Sequence, residues 1–67
     1  PMNFFLNGEQ VERDDAATID ELITRLELAP ETTLVEHNGI ALRRRDWPNE
    51  PVREGDRVEI LRVAAGG

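Results

Sequence analysis

These 67 residues contain no cysteine and no lysine. Without a thiol the chain can form no disulfide, bind no metal through thiolate and run no cysteine chemistry. One histidine among scattered carboxylates is a poor zinc-binding set. Positive charge is scarce. There are 8 arginines against 14 acidic residues, a formal net charge of -6. Such a chain lacks the cationic footprint that phosphate backbones and anionic lipids require, which argues against nucleic acid and membrane as partners. No apolar run reaches bilayer length, and the N-terminal residues lack a signal-peptide pattern. A cytoplasmic protein is expected. Pro1 precedes Met2, so Pro1 reads as an expression remnant and residues 2–67 as one domain. A core this small rarely yields more than about 3–5 kcal/mol of net stability. Little remains to hold a strained catalytic pocket, so a binding or carrier module is expected rather than an enzyme.

What is present reads as alternating short elements. Met2 to Leu6 and Glu9 to Arg13 are strands around an Asn7-Gly8 hairpin turn. Period-two alternation puts Met2, Phe4 and Leu6 on one face and Phe5 on the other. Thr18-Ile19-Asp20-Glu21 fits a helix capping box. Ile19, Leu22, Ile23 and Leu26 form one helical stripe, which Pro30 ends. Thr33 to His37 and Ile40 to Leu42 are strands around Asn38-Gly39. Arg43 to Pro48 is a turn or one helical turn, and Arg57 to Val63 is the last strand. In that strand Val58 and Ile60 face one side, and Arg57, Glu59 and Leu61 the other. The order β-β-α-β-β-β, with an apolar last strand in mid-sheet, predicts an α+β fold of the β-grasp, ubiquitin-like type. One helix lies across one face of a mixed sheet of four to five strands. Residues 1–33 carry 8 acidic and 2 basic residues, whereas residues 34–67 carry 6 of each. Acidity therefore gathers on the hairpin and helix, away from the C-terminal residues.

The chemical feature is the taper Val63-Ala64-Ala65-Gly66-Gly67. Ala64, Ala65 and Gly66 have nothing large to bury and suit threading into a narrow active site, where glycine permits close approach. The expectation is a mobile tail ordered only by a partner. A free carboxylate on Gly67 is a poor electrophile. Attack on the α-phosphate of ATP would give an acyl-adenylate, and a sulfur nucleophile could displace AMP to leave a thiocarboxylate. The chain has no phosphate loop, so it binds no cofactor itself and a partner must supply ATP. Phe5 and Leu61 are expected to form a docking patch on the face away from the helix. Trp47 is expected to close the core, Arg43, Arg44 and Arg45 to form a solvated turn, and His37 to lie on a half-buried strand face without catalytic work.

Taken together, the Asn7-Gly8 hairpin, Thr18 to Ile23, Val35-Glu36-His37-Asn38-Gly39, Arg44 and Trp47, Glu54 to Ile60 and Gly66-Gly67 resemble the ThiS family. These are the sulfur carriers of thiamine biosynthesis. The resemblance implies that a ThiF-like enzyme adenylates Gly67. A persulfide enzyme then supplies sulfur, and a ThiG-like thiazole synthase takes it from the thiocarboxylate. Other readings are a sulfur carrier for molybdopterin or another thio-metabolite, a protein modifier joined to substrate lysines, and an inert β-grasp interaction module.

Overall fold

Two Asn-Gly pairs set the two hairpins. In a computed structural model of the chain, which describes residues 2–64, Asn7 and Gly8 have φ of 50° and 82°. Asn38 and Gly39 have 52° and 84°. Two successive positive φ values make the mirror-image turn whose twist matches antiparallel strands, and asparagine and glycine enter that region at least cost. The first turn joins β1 (Asn3–Leu6) to β2 (Glu9–Glu12), and the second joins β3 (Thr33–His37) to β4 (Ile40–Leu42). The last strand, β5 (Arg57–Arg62), lies between the hairpins, giving the sheet order β2-β1-β5-β3-β4. β5 runs parallel to β1 and antiparallel to β3. The mid-sheet position expected from its apolar character is found, and the architecture is the β-grasp.

Helix α1 (Ile19–Arg25) crosses one face. Thr18 caps it through Oγ1, which accepts the Glu21 N–H at 3.2 Å. The Glu21 carboxylate reaches back one residue beyond the usual capping box and accepts the Ala17 N–H at 2.7 Å. Ile19, Leu22 and Ile23 are buried against Phe4, Val35, Val58 and Ile60. Trp47 closes this core from the 3-10 helix Arg44–Asn49, as expected. After that helix the chain runs extended. Ile19 N–H donates to Glu50 C=O and Val52 N–H to Ala17 C=O, which brings Val52 and Ala16 into the core.

The helix ends before Pro30. Leu28 N–H bonds Ile23 C=O and Glu27 N–H bonds Thr24 C=O, a Schellman closure with Glu27 at φ 58°. Pro30 instead opens the short 3-10 helix Pro30–Thr32 that leads into β3. Leu26, expected within the helical stripe, is the C-cap and packs half-buried on the core.

A left-handed non-glycine residue costs about 1–2 kcal/mol, and glycine gives back about 0.5–1 kcal/mol of that in chain entropy. Glu27→Gly should therefore stabilise the protein by roughly 0.5–1 kcal/mol, read as an increase in urea midpoint at unchanged slope. A loss of stability would show that the Glu27 side chain contributes more than its backbone strain costs.

Candidate functional site

With the helix on one side, the opposite face of the sheet carries the outward residues of all five strands. Outward on β5 are Arg57, Glu59 and Leu61, as the alternation requires. Leu61 is 63% exposed and Phe5 39%. Their expected adjacency is not found. The cross-strand partner of Phe5 is Arg57, which stands four residues from Leu61, roughly 13 Å at strand spacing. The direct neighbour of Leu61 is Leu34 on β3, 56% exposed, which alternation alone could have put on this face. Leu34 and Leu61 share a shallow apolar hollow with Ala41 and Leu42, rimmed by Glu36 and Glu59. Phe5 lines a separate depression with Gly8 and Arg57. The outer face therefore holds two apolar spots with the Glu59 row between them.

The two ends of β5 are built differently. At its start a polar network locks the chain. His37 is buried, with Nδ1 at 2.9 Å from Glu50 Oε2 and Nε2 at 2.7 Å from Asp56 Oδ2. The protonated ring can donate to both carboxylates, the neutral ring to one. Asp56 Oδ2 also accepts the Arg53 N–H, and Oδ1 accepts from Asn38 Nδ2. Asn38 Oδ1 in turn accepts the Arg57 N–H at 2.8 Å. His37 is thus more deeply held than a half-buried strand position, and its partners lie 13 and 19 residues away. Burial alone would push the Asp56 carboxyl up. Hydrogen bonds from His37, the Arg53 backbone and Asn38 outweigh it and hold the group below the usual carboxylate value. Among the described residues, no group of three or more His, Cys, Asp or Glu side chains is arranged to hold a metal ion.

At its far end β5 passes into Val63, 46% exposed, and Ala64, also exposed. Val63 N–H still bonds Thr32 C=O at 2.8 Å. Ala65, Gly66 and Gly67, expected to thread into a partner and to carry the activated carboxylate, lie outside the described residues. Arg43, Arg44 and Arg45 are exposed. Arg43 meets Asp46 at 3.3 Å and Arg44 meets Glu31 at 4.0 Å, as expected of a solvated turn. No described helix is long and apolar enough to cross a membrane.

The profile of the ThiS family matches residues 4–67. The chain belongs to the ThiS family. Its fold overlays a crystal structure of the thiamine biosynthesis protein ThiS from Geobacter metallireducens with a TM-score of 0.81 and 36% identity. The overlay covers 98% of this chain and all of that one. A solution structure of a thiamine biosynthesis protein from the same organism gives 0.80, also at 36% identity, over 98% of this chain and 88% of that one. The chain is 30% identical over 66 residues to a thiazole synthase of Magnetococcus marinus. It spans 98% of its own length there but only 20% of that protein. An uncharacterised protein, ycf40, of Trieres chinensis is 20% identical over 64 residues, covering 96% of this chain and 88% of that protein.

The His37–Asp56 pairing gives this ThiS-family fold a defined acid sensitivity. The folded Asp56 carboxyl lies below its unfolded value of about 3.9. Its contribution is therefore present above about pH 4 and lost as pH falls through the lower folded value. Asp56→Asn should cost about 1–3 kcal/mol at neutral pH and flatten the decline in stability below pH 4. Urea unfolding across pH measures both. A variant as steeply acid-sensitive as the parent would remove Asp56 as a source.

Proposed function

We propose that this chain is a sulfur carrier of thiamine biosynthesis and not itself an enzyme. Its Gly67 carboxylate would be adenylated and then converted to a thiocarboxylate that supplies thiazole sulfur. The observation that carries this reading is the family match, which runs through to residue 67 and so includes Gly66-Gly67. The likeness to a stretch of a thiazole synthase supports that acceptor over molybdopterin or a protein lysine. The chemistry follows from the residues. A Gly67 carboxylate oxygen attacks the α-phosphate of ATP and pyrophosphate leaves. The persulfide of a sulfur-donating enzyme then attacks the acyl carbon and AMP leaves. A second thiol of that enzyme cleaves the acyl disulfide, closing an enzyme disulfide and freeing the thiocarboxylate. The chain contributes no cysteine thiol or lysine amine of its own to intercept the activated end. ATP and the phosphate-binding groups belong to a ThiF-like enzyme, and the thiocarboxylate is consumed by a ThiG-like synthase.

Docking of those enzymes is assigned to the outer face of the sheet, through Leu61 with Leu34 and, at its other end, Phe5. Along the strand on this face Leu61 stands between Glu59 and the exposed Val63, so the pair can meet a partner without repacking the core. Leu61→Glu should raise the KM for the carrier in ATP–pyrophosphate exchange at least tenfold. Stability should move by no more than about 1 kcal/mol, the size of one cross-strand pair. A fall in melting temperature with unchanged KM would assign the residue to folding instead.

Removal of Gly67 tests the function itself. The buried core runs from Phe4 to Ile60. The truncated protein should therefore keep its melting temperature while exchange with the adenylating enzyme falls to background. Mass spectrometry of the loaded wild type should show a gain equal to the difference between sulfur and oxygen. Exchange that persists without Gly67 would refute the carrier reading.

A further inference from the structure

The backbone of β5 beyond its pairing with β1 forms an open edge on the β1 side. Bonds from Val63 N–H to Thr32 C=O and from Asn38 N–H to Arg57 C=O fix the odd residues of β5 toward β3. The even residues therefore turn their N–H and C=O groups to the β1 side. There β1 covers only Arg57 and Val58 in register. Asn7 N–H donates to the Val58 C=O at 2.9 Å, and Asn7 Oδ1 accepts the Ile60 N–H at 2.7 Å, which caps the ladder. Beyond that cap, Ile60 C=O and both Arg62 groups meet no partner among the described residues. Beside them lies a cleft formed by Leu6, Leu26, Leu28, Ile60 and Arg62.

We propose that an extended strand of the adenylating enzyme pairs with this edge, continuing the line of β1. The proposal rests on the carrier reading above. An unpaired donor between two acceptors at strand spacing is complementary to extended backbone, and alternate side chains of such a strand point into the neighbouring cleft. On the carrier reading, distance selects the occupant. Gly67 stands three residues beyond Ala64, a reach of about 10 Å at full extension. An enzyme that takes the Gly67 carboxylate must therefore bring its active-site wall against the last residues of β5.

Two measurements test this. In the first, Arg62→Pro removes one N–H that no described residue uses, and proline is tolerated where a strand's N–H faces outward. Arg62→Ala removes the side chain and keeps the N–H. Exchange kcat/KM should be at least tenfold lower in Arg62→Pro than in Arg62→Ala, with melting temperatures alike. Equal values in two folded variants would overturn the proposal. In the second, wild-type amide exchange is followed by NMR, which needs no substitution. The Arg62 amide should be unprotected in the free carrier and slowed at least tenfold in complex with the adenylating enzyme. An amide still unprotected in the complex would overturn the proposal. So would protection in the free protein that grows with concentration, since the edge would then belong to a second copy. Loss of the carrier reading has a separate signature: wild-type protein that supports no exchange at all.

Discussion

Everything in this fold depends on β5 being paired on both sides. A strand that follows all the others in sequence can reach mid-sheet only if the two hairpins leave a slot between them. Parallel pairing with β1 also requires a long connection, which α1 and the second hairpin provide. Once seated, Val58 is fully buried and Ile60 nearly so, and the helix face of Ile19, Leu22 and Ile23 packs over both. The same placement puts Val63 and Ala64 at the end of a mid-sheet strand rather than at a border.

A central strand with only two residue pairs to its parallel neighbour needs other restraints on its register. Side chains supply them. Asn7 works at one point, standing in for a backbone acceptor at Ile60. At the start of β5, Asp56 collects His37, Arg53 and Asn38, and Asn38 returns a bond to Arg57. Glu54 accepts the Asn3 N–H and Gly55 N–H bonds Asn3 C=O, which ties this turn to β1 as well. A one-residue slip would expose Val58 and Ile60 and bury Glu59, so these bonds reinforce a register that burial already demands.

The elements legible in the sequence are those whose signals are local. Asn-Gly pairs, a Thr-x-x-Glu start and the strand run Thr33 to His37 need only neighbours in the chain, and all appear where expected. Contacts between distant residues were hidden. The partners of His37, the burial of Val52 and Ala16, and the pairing of Thr18 with Pro51 are set by how the extended stretch after Trp47 folds back on the helix start. The separation of Phe5 from Leu61 has the same origin. Alternation gives the face on which a residue lies, but the offset between two strands comes from the bonds around Asn7 and Asp56. The helix end is not legible in the sequence, because Pro30 is a strong signal whereas a left-handed glutamate carries none.

The two ends of β5 divide holding from presenting. At the start, nearly every polar group near the strand is committed: His37 by both ring nitrogens, Asp56 by both oxygens, Asn38 by donor and acceptor. At the other end the ladder on the β1 side is cut off by a single asparagine side chain, and Leu61 to Ala64 beyond it are exposed. A strand locked at both ends would bury its backbone groups in its own sheet and leave a partner only side chains to read. A strand loose at both ends would lose its register. Locking the start lets the far end keep open backbone groups without letting β5 slide, because Asp56, Asn38 and Asn7 fix the offset before the open groups begin. That asymmetry suits a small carrier. Under the proposed pairing, a partner strand extends the last part of the sheet while the core, which has little stability to spare, remains undisturbed.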